Sequence, residues 1–175
     1  YCLILQLHDR IYMIKVLKFG GTSVGSAANM KKVAEIVRRE QARITVLSAM
    51  SGTTDSLVRI SRAAASGDRN AIEEQLVMLT DKYTRCIEEL LRERKQQALA
   101  RMNATFGLIR DEAAAFEEYE SERKIIAQGE LLTSAIFTAY LQETGLKAEC
   151  LYSPDFMVKD PGEKVDTERI GRALA

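Results

Sequence analysis

The chain contains 175 residues, 46% hydrophobic and 29% charged, which is enough apolar material for the core of one domain. Lys and Arg total 25, and so do Asp and Glu; this balance disfavours nucleic acid and anionic membrane surfaces as partners. Three scattered cysteines, a single histidine (His8) and no long apolar run argue against a disulfide framework, a multi-histidine metal site and a membrane span. We therefore expect a soluble, cytoplasmic protein.

The first twelve residues do not fit the pattern that follows them. The chain opens with Tyr1, whereas Met13 directly precedes a strand-like apolar segment and makes a better start. We interpret residues 1–12 as a non-native or mis-started extension, with a genuine extra strand as the alternative.

A strand, a glycine-rich loop and a helix come next. Alternating apolar residues predict a buried strand over residues 14–19, which runs into the loop at residues 20–25. Ser26 can cap the helix that follows, whose apolar positions have helical spacing.

The same order is then repeated. Residues 43–48 predict a second strand, residues 49–52 its exit loop, and Thr53 or Thr54 the start of a helix that reaches about Ser66. This alternation predicts an α/β layered fold with parallel strands.

The middle of the chain predicts a long helical hairpin, with helices at about 70–95 and 97–119. Apolar residues recur at alternating steps of three and four, which gives each helix a narrow apolar seam. The seams are Leu76, Leu79, Tyr83, Cys86 and Leu90 in the first helix, and Met102, Phe106, Ile109, Ala113 and Phe116 in the second. Packing is a better interpretation of these seams than a cofactor site, and a dimer surface is the alternative to an internal core.

The last part of the chain returns to alternating elements. We predict a helix over residues 121–144 that Gly145 ends, a third strand over 147–152, a connection over 155–162 and a final helix capped at residues 166–167. Because the chain stops in the middle of this alternation, we expect it to be cut from a larger domain.

The first glycine loop has the features of an anion site. Lys18 ends the strand, and Gly20 and Gly21 would let backbone N–H groups approach an anion near the N-terminus of the next helix. Thr22 and Ser23 add hydroxyl groups. A tight turn explains two glycines equally well, and the loop matches neither the Walker A pattern nor GxGxxG.

Two further segments carry polar groups. The second strand ends in residues 48–55 (SAMSGTTD), and because parallel strands present their exit loops at one sheet edge, this loop and the first should face one crevice. Glu130 follows Gly129 in an otherwise apolar helix, where a glycine is unfavourable by about 1 kcal/mol relative to alanine. We infer that another part of the protein packs closely on Gly129 and that Glu130 binds a cation. The alternative for residues 48–55 is that they only cap the next helix, and the alternative for Glu130 is that it is exposed to solvent.

In this order, residues 18–24 (KFGGTSV), residues 46–55 (VLSAMSGTTD) and residues 129–131 (GEL) closely resemble the aspartate kinases of the amino acid kinase family. The resemblance covers residues 13–175. It implies a three-layer αβα sandwich with a mostly parallel sheet (the carbamate kinase-like fold), of which residues 13–175 would form the N-terminal, aspartate-binding part.

The resemblance also implies the chemistry. ATP would transfer its γ-phosphate, with Mg²⁺ bound, to the side-chain carboxylate of L-aspartate, giving 4-phospho-L-aspartate for lysine, threonine and methionine biosynthesis. Lys18 would be catalytic and would bind phosphate together with Gly20, Gly21, Thr22 and Ser23. The residues expected to bind the substrate aspartate are Ser48, Thr54 and Glu130. The family suggests a homodimer, and no metal-binding residue is expected in this chain.

Phosphoryl transfer to a carboxylate suits this composition, because the nucleophile is already ionised at neutral pH and needs no histidine base. The family's later segments, including a second glycine-rich stretch and the nucleotide-base pocket, do not occur in the 175 residues, so we expect them alone to be nearly inactive. The alternatives are another amino acid kinase and a non-catalytic chain that binds aspartate or a partner subunit.

Overall fold

The computed structural model describes residues 2–6, 15–157 and 165–174 and has four strands in one sheet. The strands are β1 (Cys2–Gln6), β2 (Val16–Phe19), β3 (Ile44–Leu47) and β4 (Ala148–Leu151). The helices are α1 (Ala27–Glu40), α2 (Thr53–Ser66), α3 (Arg69–Leu90), α4 (Lys95–Ala114), α5 (Glu118–Glu143), α6 (Ser153–Phe156) and α7 (Thr167–Leu174).

The strand order in the sheet is β2-β3-β1-β4. β2 and β3 are parallel, with Val16 opposite Ile44 and Phe19 opposite Leu47, which confirms the parallel pair predicted from the sequence. β1 runs antiparallel to both β3 and β4, so β2, β3 and β4 point the same way and β1 opposes them.

Some sequence predictions concern the first residues and the segment before α7. Residues 2–6 form β1, while the interpretation of residues 1–12 as an extension stays a prediction. His8, the predicted strand start at Ile14 and residues 158–162 of the predicted connection lie outside the described residues.

The predicted elements are present, with shifted ends. Ser26 caps α1 as predicted, because its Oγ accepts a hydrogen bond from the backbone N–H of Asn29 at 3.2 Å. α4 ends at Ala114 instead of near residue 119, because the chain turns there and α5 begins at Glu118. The short helix α6 lies where only a connection was predicted after β4.

The helices α3 and α4 form the predicted antiparallel hairpin, and its seams belong to the core of this single chain. Every seam residue is buried except Phe116, which is partly buried. The Tyr83 and Phe106 rings meet edge to face, 5.9 Å apart between centroids. The Glu143 carboxylate accepts the backbone N–H groups of Arg92 and Arg94 at 2.7 and 3.2 Å, which fixes the turn of the hairpin to the end of α5.

Within the described parts of the chain, no helix combines the length and the apolar character needed to cross a bilayer.

Candidate active site

The two loops that follow β2 and β3 are joined by backbone hydrogen bonds. The N–H of Ser48 donates to the carbonyl oxygen of Phe19, and the N–H of Ser51 donates to that of Gly21, both at 3.1 Å. The first bond continues the parallel pairing of β2 and β3, and the second carries it into the loops. The prediction that both loops lie at one edge of the sheet is therefore confirmed.

The neighbours of Gly20 and Gly21 differ. A Cβ atom on Gly21 would lie 2.7 Å from the carbonyl oxygen of Ala49 and 3.4 Å from the backbone nitrogen of Ser51. A Cβ atom on Gly20 would meet no atom within 4 Å. Contact between the loops thus explains why residue 21 is glycine, whereas Gly20 faces open space at the same edge.

The glycine loop is also held from the side of α1. The Asn29 side-chain amide donates to the carbonyl oxygen of Thr22 at 2.9 Å, and the N–H of Ser23 donates to that of Gly20 at 3.0 Å. The side chains of Thr22 and Ser23 are exposed. The backbone of this loop is fixed while its hydroxyl groups stay open to solvent.

The other predicted site residues of the two strands are accessible from solvent. Lys18 is exposed near the end of β2, and Ser48 is partly buried directly after β3. Thr54 is exposed in the first turn of α2, which begins after Gly52 in the left-handed conformation (φ 76°). The structure thus gathers a cation, hydroxyl groups and the N-terminus of a 14-residue helix at one edge.

Gly129 joins α5 to the second loop. A Cβ atom there would lie 3.0 Å from both Leu57 Cδ1 and Thr53 Cγ2, and 3.1 Å from Ala49 Cβ. The close packing predicted at this glycine is confirmed. The next residue, Glu130, is partly buried.

A buried set of hydroxyl groups supports this arrangement and was not recognised in the sequence. Thr133 Oγ1 accepts the backbone N–H of Met50 at 3.1 Å and donates to the carbonyl oxygen of Gly129 at 2.8 Å. The Tyr83 hydroxyl lies 3.1 Å from Thr133 Oγ1 and 3.2 Å from Thr53 Oγ1. Burial is the main factor that raises the pKa of Tyr83, so its hydroxyl keeps its proton.

The residue before this tyrosine also reaches the second loop. The Lys82 ammonium donates to the carbonyl oxygen of Ser51, and its partial burial lowers the pKa of Lys82. Nothing in the seam pattern marked Lys82, because it lies beside the apolar seam on the polar surface of α3.

Metal-ion ligands do not cluster in the described residues: no group of three or more His, Cys, Asp or Glu side chains there could hold a metal ion.

The sequence model of the amino acid kinase family matches residues 13–175. This chain belongs to the amino acid kinase family. The matched range is the one over which the motifs were predicted to resemble the family.

Curated relatives of this family member are aspartokinases, which confirms the resemblance. This chain is 30% identical over 146 residues to the aspartokinase of Chlamydia muridarum, and the alignment covers 83% of this chain and 31% of that protein. It is 32% identical over 142 residues to aspartokinase 1, chloroplastic, of Arabidopsis thaliana, covering 76% of this chain and 24% of the relative. The chain thus spans about a quarter to a third of the length of these relatives.

Solved structures show the same fold. Escherichia coli aspartokinase III in complex with lysine and aspartate superimposes with a TM-score of 0.78 at 21% identity, covering 92% of this chain and 37% of that one. The complex of the same enzyme with aspartate and ADP gives a TM-score of 0.75 at 22% identity, covering 92% and 36%. This amino acid kinase family member therefore has the fold of the N-terminal region of aspartokinase III.

Proposed function

We propose that this chain provides the aspartate-binding part of an aspartate kinase, which transfers the γ-phosphate of ATP to the side-chain carboxylate of L-aspartate and yields 4-phospho-L-aspartate. The observation that carries the proposal is the pair of backbone hydrogen bonds that joins Phe19 and Gly21 to the loop after β3, with Gly129 of α5 packed on that same loop. The names of the relatives support this choice of reaction.

The first loop would contact the phosphoryl group. Lys18 carries a full positive charge that suits the transferring phosphate, and the N–H groups of the glycine loop suit its oxygens. Gly20 is the better candidate for close contact, because no atom of the described chain fills the space beside its Cα. Gly21, Thr22 and Ser23 would complete this phosphate site.

The second loop and α5 would hold the substrate. Ser48 and Thr54 offer hydroxyl groups to L-aspartate at the start of α2, where the helix dipole favours a carboxylate. Glu130 would pair with the α-ammonium group, a contact that discriminates aspartate from dicarboxylates without an amine. The aspartate carboxylate, with a pKa of about 3.9, is already a nucleophile at neutral pH and requires no base.

ATP and Mg²⁺ are the proposed co-substrate and cofactor. Mg²⁺ would enter bound to the phosphate oxygens of ATP, the ligands that it usually takes at such sites. It would supply positive charge to the γ-phosphate during transfer. The residues of this chain would position aspartate and the phosphoryl group.

We also propose, from the resemblance, that the complete domain is a three-layer αβα sandwich, that the protein is a cytoplasmic homodimer, and that its product enters amino-acid biosynthesis. The 175 residues alone are expected to be nearly inactive, so kinetic tests belong on the complete chain that the native gene encodes.

Trapping the acyl phosphate with hydroxylamine measures the reaction directly. In the complete natural chain, Lys18→Ala should lower kcat by at least 100-fold and leave the KM for aspartate nearly unchanged, because the lysine would contact only the phosphoryl group. Glu130→Gln should mainly raise the KM for aspartate. Unchanged kinetics in both variants would refute these roles.

Comparison of substrates tests the alternatives. An aspartate kinase should form hydroxamate with L-aspartate and not with L-glutamate or N-acetyl-L-glutamate. Turnover of the glutamates alone would indicate another amino acid kinase, and binding of aspartate without turnover in the complete chain would indicate a binding protein.

A further inference from the structure

We infer that Lys82 and Tyr83 of α3 are positioning residues for the substrate loop, residues 48–54. The helical hairpin would then contribute to aspartate binding as well as to the core. The inference rests on the proposed function, in which Ser48 and Thr54 of this loop contact L-aspartate.

Tyr83 contacts the substrate loop from the interior of the protein. Its side chain is fully buried, and its hydroxyl lies within hydrogen-bond distance of Thr53 Oγ1 (3.2 Å) and Thr133 Oγ1 (3.1 Å). Thr53 is the first residue of α2, directly before Thr54. Through Thr133, the same hydroxyl is linked to the backbone N–H of Met50, two residues after Ser48.

These bonds involve three elements that are distant in sequence. Tyr83 comes from the hairpin, Thr133 and Gly129 from α5, and Met50 and Thr53 from the loop and its helix. Thr133 Oγ1 donates to the Gly129 carbonyl oxygen, so the loop is tied to the helix turn that carries Glu130. Displacing the Tyr83 hydroxyl would disturb the proposed hydroxyl and ammonium contacts together.

Lys82 holds the loop at a second point. Its ammonium donates to the carbonyl oxygen of Ser51, one residue after Met50. A Cβ atom on Gly52 would lie 3.8 Å from Lys82 Nζ, so the ammonium also lies beside the glycine that directly precedes α2. Consecutive residues of α3 thus hold the loop from the solvent side and from the interior.

The test uses Tyr83→Phe, which removes only the hydroxyl, and Lys82→Met, which keeps the side-chain length. Thr105→Val is the matched control: it also removes a buried hydroxyl from the hairpin, but that hydroxyl bonds to Arg101 of its own helix and not to the loop. All are made in the complete natural chain. The KM and kcat for L-aspartate are measured well below the melting temperature.

Loss of one hydrogen bond of about 1 kcal/mol corresponds to a five-fold change, so each α3 variant should raise the KM for L-aspartate about five-fold, with kcat changed less than two-fold. Hydrogen–deuterium exchange of a peptide covering residues 48–57 should become faster in both variants. Thr105→Val should alter neither. Wild-type KM in both α3 variants, or an equal KM increase in Thr105→Val, would overturn the inference.

The exchange measurement separates failure of this inference from failure of the proposed function. If the wild-type chain neither binds nor phosphorylates L-aspartate, the proposed function fails. Faster exchange of residues 48–57 in the α3 variants would still support their role in positioning the loop, and unchanged exchange would overturn it.

Discussion

Gly129→Ala tests the contact that joins α5 to the substrate loop. The added Cβ atom would lie 3.0 Å from Leu57 Cδ1, 3.0 Å from Thr53 Cγ2 and 3.1 Å from Ala49 Cβ. Ordinary carbon–carbon contacts lie near 3.5–4.0 Å, so each of the three neighbours would have to move by a few tenths of an ångström.

Two opposing contributions set the size of the effect. Alanine in place of glycine inside a helix favours folding by about 1 kcal/mol. Overpacking a well-filled core disfavours it by about 1–3 kcal/mol. We therefore expect Gly129→Ala to lower the free energy of unfolding by about 1 kcal/mol. Because Ala49 and Thr53 belong to the substrate loop, the substitution should also raise the KM for L-aspartate.

Gly107→Ala is a matched control, since Gly107 lies inside α4 and a Cβ atom there would meet no atom within 4 Å. It should raise the free energy of unfolding by about 0.5–1 kcal/mol, with kinetics unchanged. Urea unfolding of both variants measures the difference, which should reach about 1.5–2 kcal/mol. Equal stabilisation by both substitutions would refute the close packing at Gly129.

Three further predictions follow from the fold and the site. Gly21→Ala should separate the two loops and lower the melting temperature, since a Cβ atom would lie 2.7 Å from a backbone oxygen. Gly20→Ala should keep the wild-type melting temperature and lower the rate of phosphoryl transfer, which the hydroxamate assay measures. Equal melting temperatures for the two variants would contradict the loop geometry. Burial raises the pKa of the Cys86 thiol from 9.0 to about 11. The stability that the buried neutral thiol contributes is therefore present below pH 9 and is lost as the pH rises towards 11. Cys86→Ala should make the melting temperature fall less steeply between pH 9 and pH 11, and an unchanged slope would contradict this prediction. Glu143→Ala should lower the free energy of unfolding by about 1–2 kcal/mol at neutral pH, because two backbone N–H groups in the turn of the hairpin lose their acceptor. A urea midpoint equal to that of the wild type would show that this contact is not stabilising.

Local sequence signals predicted most of the elements and the shared position of the two loops. The parallel pair β2–β3 follows from two apolar strands with loop–helix continuations, and parallel neighbours necessarily present both exit loops at one edge. The glycine in the otherwise apolar helix α5 predicted the close packing at Gly129, where a Cβ atom would lie 3.0–3.1 Å from its three nearest neighbours.

Contacts between distant elements could not be predicted in the same way. The apolar spacing of α3 placed Tyr83 correctly in the core, but helical spacing says nothing about where its hydroxyl points, and its partners lie 30 and 50 positions away in the sequence. The pairing of β1 was not predicted because residues 2–6 show no signal for their partners, and the antiparallel direction depends on which strands they join.

The central claim is that Glu130 binds the ammonium group of L-aspartate, and calorimetric titration tests it most directly. The complete natural chain and its Glu130→Gln variant are each titrated with L-aspartate and with succinate. Succinate has both carboxylates of aspartate and no ammonium group, so it isolates the proposed contact of Glu130. The account predicts that Glu130→Gln weakens L-aspartate binding by about 10-fold or more, since hydrogen bonds to charged groups contribute about 1.5–3 kcal/mol, and that it does not weaken succinate binding. Equal aspartate affinity in wild type and variant, or no aspartate binding by the wild-type chain, would contradict it.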